Sequence, residues 1–122
     1  ISNMGKDSDW STGWDSRWKK ARKIKNNQYL RSMRYNYFVA SEELSAEEIN
    51  VEIIQLAMNT FYEDFVSLDE KIGSSKETLH FLKAYHQNIA DLLAVLEMYE
   101  CLKMLSIYDH DHKEVYESYL KN

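Results

Sequence analysis

The chain has no proline, and its 122 residues include only three glycines, Gly5, Gly13 and Gly73. Sandwiches and barrels need frequent turn residues. With nothing to punctuate it strongly from Trp14 to Ile72, the chain is read as long helices rather than many short strands. A single cysteine, Cys101, excludes an intrachain disulfide and points to an intracellular, cytoplasmic protein with a buried structural thiol. No apolar run approaches the roughly 20 residues that span a bilayer, and no secretory signal pattern precedes the first charges. Three isolated glycines cannot build a phosphate-cradling loop. Ser, His and Asp occur without any spacing that marks a nucleophile. No cofactor and no enzymatic activity are therefore expected.

What is present is a split charge. Residues 1–34 hold nine Lys/Arg against three Asp/Glu, and residues 35–122 hold six against seventeen, so the two parts carry +6 and −11. Between Arg17 and Arg34 there are eight basic residues and no acid. Such asymmetry is the clearest pointer to function in the chain, because blocks of like charge address oppositely charged partners. The basic part is also aromatic. Trp10, Trp14 and Trp18 are spaced four apart and share one helical face, which Ala21 and Ile24 continue. Asp9 can cap that helix, Gly13 weakens it, and Asn26-Asn27 is expected to break it near Lys25.

A second segment, about 28–40, carries Tyr29, Leu30, Met33, Tyr37 and Phe38. Ser45-Ala-Glu-Glu48 and Ser74-Ser-Lys-Glu77 both match a capping box, with Gly73 placed to end the helix between them in the left-handed conformation. Helices over about 45–72 and 75–108 follow. Val51, Ile54, Met58, Phe61, Phe65, Leu68 and Ile72 form one heptad seam. Leu82, Tyr85, Ile89, Leu92, Leu96 and Tyr99 form another. Folding at Gly73 brings the seams together antiparallel, with Leu68 opposite Leu82, Phe65 opposite Tyr85 and Phe61 opposite Ile89. Met58, Ile54 and Val51 then meet Leu92, Leu96 and Tyr99. The second seam fails at Lys103 and Ser106, where the helix is expected to curve or loosen. Ile49, Ile53, Leu56 and Ala57 lie off the first seam, and Leu79, Leu93 and Val95 off the second. The Tyr29–Phe38 segment and a short last helix capped by Asp111 are expected to cover them. The fold class is thus all-α, a three- to four-helix bundle around a long hairpin. Residues 1–27 form a basic, Trp-rich arm and residues 28–122 the bundle domain.

Candidate sites follow from the charges. Trp10, Trp14, Arg17, Trp18, Lys19, Lys20, Arg22, Lys23, Lys25, Arg31 and Arg34 are the candidate partner-binding residues. Three readings compete for them: packing of the arm on the acidic bundle, lysine and arginine contacts to nucleic-acid phosphates with aromatic stacking, and an amphipathic contact to an acidic protein or membrane surface. No known nucleic-acid motif supports the second, and an isoelectric point near 5.3 argues against a general DNA binder. Asp109-His-Asp-His112 could in principle ligate a metal, but neighbouring loop residues rarely supply three convergent ligands, so a polar connection between helices is expected. Glu77-x-x-His80 lacks the second such motif that a di-iron bundle requires. The pairs Glu63-Asp64 and Asp69-Glu70 are read as a solvated acidic face. The functional expectation is a non-enzymatic interaction protein (an adaptor, an assembly subunit, or an inhibitor or immunity-type protein) that binds a macromolecular partner, most readily another protein, through helix faces. The alternative is a nucleic-acid-binding protein using residues 10–34. A membrane surface ranks below both as a partner, and self-association is also expected of helices with spare apolar residues.

Overall fold

A computed structural model describes residues 28–121 of the chain. The expected Asp9–Lys25 helix, the break at Asn26-Asn27 and most of the candidate arm lie outside the described residues. Every regular element among the described residues is helical. Helix α1 covers 28–44. It is followed by α2 (Val51–Lys71), α3 (Lys76–Val95), α4 (Tyr99–Tyr108), a 3-10 turn (His110–His112) and α5 (Lys113–Ser118). No helix among the described residues is long and apolar enough to cross a membrane.

Helices α1 and α2 run antiparallel. Lys71 Nζ at the end of α2 donates to Tyr29 Oη near the start of α1 at 2.6 Å. At the other end the Asn50 amide donates to Glu43 Oε2 at 3.3 Å. The cap of α2 is Asn50, whose side chain accepts from the Glu52 amide. The expected cap, Ser45, instead turns its hydroxyl back to the Ser41 carbonyl, so 45–50 is a connection and not a first helical turn. At the far end Gly73 has φ +73°, and its amide meets the Asp69 carbonyl at 2.9 Å. That is the left-handed termination expected there. Ser75 then caps α3 by accepting from the Thr78 amide, one residue later than the first serine of the expected box.

The seam of α2 is buried from Ile54 through Met58, Phe61, Phe65 and Leu68, and that of α3 at Leu82, Ile89 and Leu92. Helices α2 and α3 run antiparallel about the Gly73 turn: Ser75 begins α3 there, and at the other end Gln55 Nε2 reaches Met98 Sδ at 3.9 Å. The expected rungs are only partly realised. Val51 and Tyr99 are both exposed. Phe65 stacks edge-on against Tyr108 at 5.2 Å. Tyr85 meets Tyr37 and Phe38 of α1 at 5.1 and 5.5 Å. Two further helices therefore wedge into the hairpin's flanks, and the aromatic rings choose them over one another. At Tyr85 the backbone leaves helical geometry (φ −122°, ψ 16°). Beside that kink His86 Nδ1–H donates to the Lys83 carbonyl at 2.8 Å, a side-chain bond of the kind that accompanies interrupted helical ladders.

The expected single helix 75–108 is two helices, and the break falls at 96–98 rather than near Lys103. The Glu97 amide bonds the Ala94 carbonyl at 3.0 Å, and the Met98 amide bonds the Leu93 carbonyl at 2.8 Å. This is a full Schellman termination with Glu97 in the left-handed position at φ 57°. The cause lies in the phase of the apolar residues. A straight helix advances about 100° per residue, so Leu105, sixteen residues after Ile89, would stand about 160° from the α3 core face. Breaking at Glu97 swings Cys101, Leu102 and Leu105 inward, where all three are fully buried. Helix α4 then runs alongside α2, with Tyr108 Oη donating to the Gly73 carbonyl at 2.8 Å. Helix α5 lies on α3, where Tyr119 Oη meets Asp91 Oδ1 and Gln87 Nε2 donates to Tyr119 Oη at 2.9 Å.

Candidate interaction face and polar clamp

Two features stand out on this scaffold: an uncovered apolar face on α2 and a buried polar cluster under α5. The face comes from residues expected to be covered. Ile49, Ile53 and Leu56 are 50%, 39% and 70% exposed, while Ala57 and Leu93 are buried as expected. The reason is topological. The last helix was expected to lid this surface, but it binds α3 through Asp91 and Gln87 and cannot reach the outside of α2. Leu56 stands about 160° from the line of Met58, Phe61 and Phe65 that points into the core. Ile53 lies on the same stripe as Lys71, which touches Tyr29. It therefore stands on the side of α2 that faces α1. Across from it α1 offers half-buried Val39 and exposed Tyr35. Exposed acids surround this strip: Glu42, Glu47, Glu48, Glu52 and Glu63. An apolar stripe inside an acidic rim favours a ligand that is apolar along its centre and cationic at its edges.

The polar cluster is built on Asp109, which terminates α4 and is 0% exposed. Its Oδ2 accepts from His112 Nδ1–H at 3.0 Å and from Tyr116 Oη at 3.1 Å, whereas Oδ1 has no partner among the described residues. The His112 ring stacks on His86 of α3 with centroids 3.7 Å apart and planes 17° apart. Burial, with the negative Asp109 beside it, pushes the Tyr116 phenol far above its usual value. Outside this core Lys83 Nζ pairs with Asp111 Oδ2 at 2.7 Å. The bond raises the lysine and lowers the carboxyl. Asp111 is thus a salt-bridge partner rather than the expected helix cap, and α5 begins with no side-chain cap. The Asp109-His-Asp-His112 stretch is more than a solvated connection: it fastens α5 to α3 and α4. Neither it nor any other part of the described residues gathers three metal-ligating side chains. Cys101 nearby is buried, and desolvation holds its thiol up at about 12, so it is inert as a nucleophile at neutral pH.

Of the candidate binding residues, Trp10, Trp14, Arg17, Trp18, Lys19, Lys20, Arg22, Lys23 and Lys25 lie outside the described residues. Arg31 and Arg34 are exposed on α1. The Arg34 guanidinium sits 5.9 Å from the Phe81 ring centroid, and with Lys76, Glu77 and His80 it lines an open cleft of about 360 Å³. The structure therefore separates Arg34, on the α3 side of α1, from the acidic apolar strip on the α2 side. Two signals for the missed features were in the sequence. Ile49, Ile53 and Leu56 recur at helical spacing outside the seam, and an aspartate and a tyrosine seven residues apart flank the last connection. Neither signal says which face a neighbouring helix will take. No protein-family model matches the chain, and no curated protein or solved structure matches it.

Proposed function

We propose that this chain is a non-enzymatic interaction protein whose α1–α2 face binds a basic amphipathic helix. The observation that supports this reading is the strip of Ile49, Ile53 and Leu56, left uncovered by the fold and rimmed by exposed glutamates. Apolar residues at three- and four-residue spacing on an exposed helix are what a helix-in-groove partner needs for its anchors. The rim supplies orientation and faster encounter rather than most of the affinity. Adaptors, assembly subunits and inhibitors of basic targets all use such surfaces.

The test is a titration of the full chain with a fluorescein-labelled synthetic peptide that forms a lysine-rich helix with a leucine stripe. Saturable binding that weakens at least about tenfold in the Ile53→Asp/Leu56→Asp double variant supports the reading, because two buried anchors are each worth more than 1 kcal/mol at an interface core. No saturable binding, or binding indifferent to the double substitution, removes it.

The second reading is a polyanion site, favoured by the cleft that gathers Arg34, Lys76 and His80 on the same end of the bundle from which the basic arm departs. A nucleic acid held there would bind with steep salt dependence. It would be lost when Lys19, Lys20, Arg22 and Lys23 become Ala. Absence of binding to a generic single-stranded oligonucleotide at low salt ends that reading.

A further inference from the structure

The partner chemistry that the α1–α2 face selects is present in the chain itself. Trp10, Trp14 and Trp18 form an apolar stripe flanked by Arg17 and Arg22, and residues 17–34 contain no acid. We infer that residues 10–25 are an internal ligand of the α1–α2 face, so that the chain holds its own binding surface closed. This inference rests on the interaction reading above and concerns the regulation of the same face.

Reach and register support it. Gln28 opens α1 beside the end of α2, as the Tyr29–Lys71 contact shows. Asn26-Asn27 immediately precedes it, where the sequence predicts a turn. A helix turned back there would run antiparallel to α1, with about 1.5 Å of rise per residue on both. Residue 25 then lies level with residue 29, Trp18 with Asn36, Trp14 with Ala40 and Trp10 with Leu44. The Glu43–Asn50 bond sets the start of α2 level with the end of α1. The tryptophan stripe therefore falls level with Val39, Leu44, Ile49, Ile53 and Leu56, the part of the surface that the described helices leave open. Its length is also right: nine residues from Trp10 to Trp18 cover about 12 Å, and so do the eight from Ile49 to Leu56. Arg17 and Arg22 sit within about 60–80° of the stripe on its two sides. There their guanidinium groups can lie along the glutamate rim while their stems extend the apolar contact.

Charge points the same way. The +6 of residues 1–34 and the −11 of residues 35–122 belong to one molecule. A covalently attached cationic helix faces the acidic surface at an effective concentration that a separate partner has to exceed. An external ligand must then displace the arm, and its apparent affinity falls by the fraction of molecules already closed.

The chain offers its own probe. All three tryptophans lie at positions 10, 14 and 18, so tryptophan fluorescence reports on the arm and on nothing else. In the full-length protein the emission is expected to be blue-shifted from that of free tryptophanamide, with acrylamide quenching reduced several-fold. In Ile53→Asp/Leu56→Asp the emission should move to the solvent value, with far-UV circular dichroism and Tm unchanged because both side chains are surface residues. If the double variant unfolds, Glu52→Lys/Glu63→Lys replaces it and should produce the same red shift. Solvent-like emission in the wild type overturns the inference. So does a blue shift that persists in both variants, since the arm would then be docked elsewhere. A second measurement separates this inference from the interaction reading. Trp10→Ala/Trp14→Ala/Trp18→Ala should bind the lysine-rich peptide at least about fivefold more tightly than the wild type. Equal affinity, with solvent-like wild-type emission, refutes self-closure and leaves the interaction face standing. Shielded tryptophans released by Ile53→Asp/Leu56→Asp, with no peptide binding even in the triple variant, uphold internal docking and refute the external partner.

Discussion

Removing one oxygen atom tests whether the buried cluster under α5 holds the C-terminal part of the fold together. In Tyr116→Phe the ring stays and only the hydroxyl that donates to Asp109 Oδ2 at 3.1 Å is lost. Asp109 is 0% exposed and its Oδ1 already lacks a partner, so water cannot step in from the surface. The carboxylate would be left with His112 alone. A hydrogen bond to a charged group contributes about 1.5–3 kcal/mol net, and loss from a site that water cannot reach belongs near the top of that range. A loss of about 2–3 kcal/mol is therefore expected in urea titrations followed by far-UV circular dichroism, with a fall in Tm on the order of 10 °C. Tyr119→Phe is the internal control. Its hydroxyl also meets a carboxylate, Asp91, but it is only partly buried, and a cost under about 1 kcal/mol is expected. If Tyr116→Phe costs less than about 0.5 kcal/mol, or no more than Tyr119→Phe, the cluster is not the fastening described above.

Gly73→Ala should cost about 1–2 kcal/mol through backbone strain alone, since φ is +73° and an added Cβ would meet nothing within 4 Å; a neutral result in a urea titration would contradict the left-handed termination. Glu97→Gly relieves the same strain at φ 57° and should stabilise the protein by up to about 1 kcal/mol, whereas a loss of more than that would show that the side chain, not the backbone, matters there. Cys101 is held at about 12 against an ordinary 9.0 by burial, so iodoacetamide should modify it at least about 100-fold more slowly in native protein than in urea. The same raised value carries a sign. The folded state keeps the proton that the unfolded chain gives up, so this contribution to stability is complete below about pH 9 and disappears as the pH rises toward 12. Tyr108 and Tyr116, both raised, act in the same direction. The urea midpoint should fall steadily on titration upward from about pH 9; a flat or rising midpoint would mean that Cys101 is not buried in the folded protein.

Particular residues show where reading the sequence succeeds and where it stops. Gly73 could be read because a glycine after a heptad seam and before a capping serine has one common use, and the turn is there. The two seams could be read because burial of one face imposes a period that survives any tertiary arrangement. The break at Glu97 was announced only indirectly, by the failure of the seam at Lys103 and Ser106. A glutamate in the left-handed position has no local signature, since its strain is offset by the burial of Leu102 and Leu105 further along. Asp109 was legible as a polar residue between helices but not as a buried one, because its partners, His112 and Tyr116, matter only once α5 folds back beside α4.

The candidate face divides along the same line. The sequence by itself determined the split of charge, the tryptophan stripe, the helical class and the surplus of apolar residues on α2, because these depend on spacing and composition alone. Only the tertiary structure decided which of those apolar residues stay open. Ile49, Ile53 and Leu56 have the same local pattern as Ala57 and Leu93, and differ from them in whether a neighbouring helix lies over them. That choice is made by the direction in which α5 leaves α4, set by the kink at Glu97 and secured by the bonds of Asp109 and Asp91 more than a dozen residues from the face they leave exposed.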